Sequence, residues 1–236
     1  ADLIERGQQH PAAQAALDWL PNAPDAGSRA RVTQALVHLD AEVFREVVLP
    51  GLPRQSRLVE AVLAIINDVE PSRATEAAFG IAAHPEVDLR LRAVKWLLGT
   101  PLTSGKRIQV LKRAVEDDDP RIVDAGVDHA SLDDHPGAAE ALVGFISRRV
   151  GAALTPLQIR AVSGLDVNRD DVVVRLGHLL ATRRTALGPR SLRVSVEVAR
   201  ALSRSTATAG RAAARAWWFS LAGLVSVLSG VRSERR

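Results

Sequence analysis

The sequence predicts an all-α fold, a right-handed α-solenoid of about six antiparallel helix pairs with a C-terminal capping helix. Three observations predict it. Apolar residues recur at helical spacing through most of the 236 residues, the pattern of helices that bury one face. Pro24, Pro53, Pro85, Pro120, Pro156 and Pro189 follow one another at intervals of 29, 32, 35, 36 and 33, and a period of this length with two helices per unit marks a helical repeat array. Hydrophobic residues make up 47% of the chain but aromatics only 3%, with Tyr, Met and Cys absent. The core must therefore be built from Ala, Leu and Val, and Ala and Leu favour helices, whereas a large sheet sandwich calls for more Tyr, Phe and Thr.

Taken in order, Ala12 to Leu20 reads as a short helix stopped by Pro21 and Pro24, and Ser28 to Leu39 as a second, with Val32, Leu36 and Leu39 at helical spacing. Ala41 to Leu49 ends at the breaker Pro50 to Pro53. Arg54 to Val69 carries a broad stripe of Leu58, Ala61, Val62, Ile65 and Ile66. Pro71 and Pro85 open the next two helices, Ser72 to Ala83 and the one running to Leu98, because proline suits the first helical turn. Ser104 to Glu116 is amphipathic, and Asp117 to Asp119 caps a helix that starts at Pro120, since carboxylates suit a helix N-terminus. Helices follow at Pro136 to Arg149, Pro156 to Leu165, Asp170 to about Arg184, Pro189 to Ser203, and about Arg211 to Leu228. Leu192 to Val198 alternates with period two, a strand signal, but its place in the repeat register and the stripe Leu192, Val196, Ala199 assign it to a helix.

The proline-led second helices share an outline of an aliphatic residue with its follower, then small or aliphatic residues at helical spacing. It reads Leu89-Arg90, Ala93, Leu97; then Ile122-Val123, Gly126, Ala130; then Leu157-Gln158, Ala161, Leu165; then Leu192-Arg193, Val196, Arg200. This outline resembles HEAT repeats over residues 24–204. The arginine of that family is matched at Arg90 and Arg193, with Val123 and Gln158 departing, and the Asp-Pro pair is complete at Asp119-Pro120. The resemblance implies a curved scaffold that binds other macromolecules rather than an enzyme. The whole of 1–236 reads as one elongated repeat domain, with acidic repeats in 1–70, the best-matched repeats in 71–204, and a Trp-rich helix with an Arg tail in 205–236.

Charge is uneven. Residues 1–70 hold 6 Lys and Arg against 10 Asp and Glu, residues 71–147 hold 9 against 12, and residues 148–236 hold 16 against 5. A basic C-terminal third favours association with anions. Arg148, Arg149, Arg183, Arg184, Arg193, Arg200, Arg204, Arg211 and Arg215 recur down successive helices. Equivalent positions of a repeat array align, so these arginines form a candidate stripe for a phosphate backbone, or else a solvated face paired with acidic loops. Few aromatics interleave them, which argues against base stacking.

Trp217, Trp218, Phe219, Leu221 and Leu224 lie in an uncharged run from Ala216 to Val231, too short for an ordinary membrane span. They form either a cap over the open end of the stack, an interfacial anchor on anionic lipid, or a docking helix for another subunit. The acidic cluster around Asp124, Asp128, His129 and Asp133 matches no metal motif, and inter-helix caps are the expected role. No Cys is present and no Ser sits in a Gly-x-Ser-x-Gly turn, so no catalytic residue, metal site or cofactor is assigned.

The chain opens on Ala1 without a secretory-signal pattern, which suggests a piece of a longer protein, and the expected location is cytoplasmic or membrane-peripheral through the last helix. The expected function is a non-catalytic scaffold or adaptor for a protein partner within a larger assembly, with self-association through the opposed charges of its ends. The alternative is nucleic-acid or anionic-surface binding through the basic third.

Overall fold

Asp25 places the first well-capped helix. One of its carboxylate oxygens accepts the Ser28 backbone N–H at 2.7 Å and the other accepts the Ser28 hydroxyl at 2.9 Å, so the helix begins at Ala26, ahead of Ser28. The computed structural model describes residues 6–52, 59–183, 188–220, 224, 225 and 227, and among them all regular structure is helical. By packing, the chain divides into two units, Ala1–Leu102 and Thr103–Arg236, where the sequence reads as a single domain.

The first unit contains α1 (Arg6–Trp19), α2 (Ala26–Val37), α3 (Ala41–Val43), a π turn (Phe44–Val48), α4 (Leu49–Gly51), α5 (Val59–Val69), α6 (Pro71–Ile81) and α7 (Val87–Gly99). Helix α1 starts well before Ala12 and carries Pro11 inside it. Burial of Ala13 and Leu17 offsets the hydrogen bond that proline removes. The π turn buries Phe44, and the Arg73 guanidinium stacks 5.1 Å from the ring centroid. Helix α2 packs on α5, and α5, α6 and α7 pack on one another through Val62, Leu63, Ile66, Ala74, Ala78, Leu89 and Ala93. The expected helix start at Arg54 lies outside the described residues.

The second unit contains α8 (Ser104–Glu116), α9 (Pro120–Ser131), α10 (Pro136–Ser147), a 3-10 turn (Ala152–Leu154), α11 (Thr155–Ser163), α12 (Asp170–Thr182), α13 (Pro189–Arg204) and α14 (Thr208–Trp218). Neighbours in sequence pack, α8 on α9, α9 on α10, α10 on α11, α12 on α13 and α13 on α14, and so do alternate helices. One row is α8 on α10, α10 on α12 and α12 on α14; the other is α9 on α11 and α11 on α13. Each helix is therefore covered by neighbours from its own row and from the other, which buries Val110, Leu111, Val127, Leu142, Ile146, Leu176 and Leu180 almost completely. At about 25 cal/mol for each square ångström of apolar surface removed from water, this burial is the main favourable contribution.

Helix α13 shows why its strand-like stretch is helical. Leu192, Val194, Ser195, Val196, Val198 and Ala199 are all buried, because α13 touches α11, α12 and α14. Arg193, Glu197, Arg200 and Arg204 stand at i, i+4, i+7 and i+11 on the more exposed side, so the helix is amphipathic with a wide apolar face, and period two arises only within that face. Leu224, Val225 and Val227 are helical, but the expected run from about Arg211 to Leu228 is interrupted after α14. That helix ends at Trp218 with Phe219 as its C-cap, and the Ser220 N–H turns back onto the Trp217 carbonyl at 2.9 Å.

Gly126 marks the tightest approach of α9 to α8. A Cβ there would lie 2.8 Å from the Ala114 Cβ and 3.2 Å from a Val115 methyl. Gly126→Ala is expected to destabilise the protein by about 1–3 kcal/mol through overpacking, read as a lower urea midpoint at unchanged slope. Gly144 of α10 faces open space, so Gly144→Ala is expected to raise stability by up to about 1 kcal/mol through helix propensity, read as a higher midpoint. Equal responses from the two variants would remove the close-contact explanation.

Candidate functional site

The carbonyl groups at a helix C-terminus have no partners within the helix, and in the second unit side chains from the following elements supply them. Gln158, buried in α11, points its amide nitrogen at the end of α10. It donates to the carbonyls of Phe145 at 2.8 Å, Arg148 at 3.0 Å and Ile146 at 3.2 Å. Arg183, at the C-cap of α12, donates to the carbonyls of Ile146 at 3.1 Å and Ser147 at 3.0 Å. Arg148, at the C-cap of α10, makes the corresponding bond one helix pair earlier, to the Val115 carbonyl of α8 at 2.9 Å. Cationic donors suit the negative end of a helix dipole. The Leu157-Gln158 pair, a departure from the HEAT outline, thus has a definite structural task.

These bonds hold two arginines at the mouth of a cleft of about 670 Å³, walled by the end of α10, the start of α11, one face of α12 and the start of α13. Its charged and titratable lining consists of Arg148, Arg149, Arg175, His178, Arg183 and Arg190, with no carboxylate. Arg149, Arg175 and Arg190 are exposed and have no ion-pair partner among the described residues. Arg148 reaches only the fully exposed Asp118, at 3.9 Å, a contact of little energetic weight. Burial, and to a lesser degree the nearby charge of Arg149, push the Arg183 guanidinium below its ordinary pKa.

Elsewhere in the unit, basic side chains meet acids. Arg107 pairs with Asp133 at 2.6 Å, Lys112 with Glu140 at 3.3 Å and Arg169 with Asp171 at 3.0 Å. Arg160 of α11 bridges Asp124 and Asp128 of α9, so the two carboxylates that share a helix face are held by one guanidinium. Among the described residues no three His, Asp or Glu side chains cluster as a metal-binding set.

A second depression, of about 640 Å³, runs across α8, α10 and α12. It continues into the basic cleft, because Ser147, Arg148, Arg175 and His178 line both. Its floor includes Ala141, Gly144 and Val174, and Val174 is 67% exposed.

Of the arginines singled out in the sequence, Arg148, Arg149 and Arg183 converge on the cleft, while Arg184 lies outside the described residues. Arg193, Arg204 and Arg215 are exposed and do not line it. Arg200 pairs with Glu197 at 3.0 Å, and Arg211 donates to the carbonyls of Ser205 at 2.8 Å and Thr206 at 2.7 Å. Arg175, His178 and Arg190 complete the lining and were not singled out. Their signal was present in part: Arg175, His178 and Thr182 stand at i, i+3 and i+7, on one helix face.

The aromatic cluster divides. Trp217 is fully buried and meets the Trp218 ring edge-on at 5.1 Å, whereas Phe219 and Leu224 are 84% and 53% exposed. Leu221 lies outside the described residues. Among the described residues no helix is long and apolar enough to cross a membrane.

Comparison of the chain with protein-family models, curated proteins and solved structures finds no match.

Two outcomes check this account. Gln158→Leu, which removes the side-chain donor from the end of α10, is expected to lower stability by about 1–3 kcal/mol in denaturant titration; an unchanged midpoint would show that the remaining donors and water replace the amide at no cost. The second concerns Asp119, which caps α9. Its carboxylate accepts the Arg121 N–H at 2.9 Å and the Arg121 guanidinium at 3.2 Å, and the side-chain bond to Arg121 holds its pKa below the ordinary aspartate range. A lowered folded-state pKa gives stability that is present above the unfolded-state value and is lost as pH falls through the folded one. Asp119→Ala is expected to cost about 1 kcal/mol at pH 7, with the gap closing in strong acid. A gap that persists at pH 2 would place the effect outside the charged cap.

Proposed function

We propose that the chain is a non-catalytic scaffold of HEAT-like helix pairs, and that its second unit holds an extended segment of a protein partner along the α8, α10 and α12 row. The right-handed solenoid order with about six pairs belongs to the same proposal. It is supported by the two interleaved rows of the second unit, the arrangement in which stacked pairs bury one continuous core and leave a same-row face for binding.

The observation that carries the reading is the continuous depression over three successive helices of one row. Its small floor residues Ala141 and Gly144 admit a backbone, and the exposed Val174 offers an apolar contact. Arg148 and Arg175 at its basic end favour a segment that carries a carboxylate where it reaches them, while Lys112 and Glu140 on its wall pair with each other. The depression is open rather than enclosed, and His178, its one imidazole, has no hydrogen-bond partner among the described residues to orient it as a base.

The test is capture of a partner by the immobilised intact chain, followed by groove variants. A protein retained by the native chain is expected to be lost, by about tenfold or more, from Val174→Glu and kept by Arg204→Glu, which lines neither depression. Equal retention by Val174→Glu, at unchanged melting temperature, would refute the groove.

A further inference from the structure

The geometry points to the basic cleft between the end of α10 and the start of α13 as a binding site for a small anion carrying phosphoryl groups, held by Arg149, Arg190 and the N-terminus of α13. This does not depend on the groove reading, because neither Arg149 nor Arg190 lines the groove.

Four features argue for that class of ligand. The described lining holds five guanidinium groups and no carboxylate, whereas Arg107, Lys112, Arg160 and Arg169 of the same unit each meet an acid. Guanidinium presents paired donors in a planar fork that matches the oxygens of phosphate. A single carboxylate would neutralise one of these charges, whereas a phosphate or pyrophosphate neutralises two or more.

The start of α13 adds backbone donors. It is a helix of 16 residues with Gly188 at its N-cap and no side chain capping it, and Gly188, Arg190 and Ser191 all line the cleft. Uncapped N–H groups at a helix N-terminus bind phosphate. They do not carry the site alone here, since the arginines of α12 and of the loop after α10 face the same space.

The positions of two cations are set in advance. Arg183 is fixed by its bonds to the Ile146 and Ser147 carbonyls, and Arg148 by its bond to the Val115 carbonyl, so the ordering on binding falls to the exposed Arg149 and Arg190. Arg149 and Arg183 line the same cleft, and an anion bound there lessens the repulsion between their charges. The volume, about 670 Å³, suits a small ligand rather than a duplex.

Pyrophosphate is the probe, titrated by calorimetry into the intact chain, with inorganic phosphate, acetate and chloride compared at matched ionic strength. One equivalent of pyrophosphate is expected to bind, to raise the melting temperature above that in chloride or acetate, and to bind more weakly as salt rises. Inorganic phosphate is expected to bind at the same site with lower affinity. The double variant Arg149→Gln, Arg190→Gln is expected to weaken binding by about tenfold or more without lowering the melting temperature of the free protein. Arg193→Gln with Arg204→Gln, outside the cleft, is expected to leave binding unchanged. Several weak equivalents, equal loss in both double variants, or no response beyond acetate would overturn the proposal. So would binding to duplex DNA or to phosphatidylserine vesicles with no response to pyrophosphate.

Discussion

The second unit depends on how the carbonyl end of α10 is closed. A helix cannot leave its last carbonyls bare against packed neighbours, because each buried orphan costs free energy comparable to a lost hydrogen bond. Here the donors come from later in the chain, Gln158 and Arg183, so closing α10 also fixes α11 and the end of α12 against it. Arg148 repeats the arrangement on α8. Local hydrogen bonding and the stacking of helix pairs are thus one constraint, met by the same side chains.

That constraint has an electrostatic consequence. The donors that suit a carbonyl end are cations, and placing them at successive helix ends gathers positive charge on one edge of the stack. Elsewhere in the unit nearby carboxylates answer such charges, as Asp124 and Asp128 answer Arg160. Around the cleft, among the described residues, only the fully exposed Asp118 approaches a lining arginine, Arg148 at 3.9 Å. A structural device for helix termination has therefore left a site with unmatched charge, and this is the feature on which a functional reading rests.

The aromatic residues of α14 divide between structure and surface in a way that their adjacency conceals. Trp217 is fully buried where α14 packs on α12 and α13, while Phe219, two residues on, lies beyond the helix end and faces solvent. The hairpin-like return of Ser220 onto the Trp217 carbonyl separates the two roles.

The helical class and most helix starts were legible in the residues alone, because they depend on local chemistry: prolines in first turns, Asp119 before Pro120, apolar residues three and four apart. Residue type also announced that the last third is basic. The tertiary structure decided which arginines share a space. Arg148, Arg149 and Arg183 meet Arg175 and Arg190, while Arg200 and Arg211 turn to Glu197 and to the Ser205 and Thr206 carbonyls. Periodicity indicates that a side chain lies on a face, but not which helix end or carboxylate lies opposite it, and that depends on packing between segments some thirty-five residues apart, as with Arg183 and the Ile146 carbonyl.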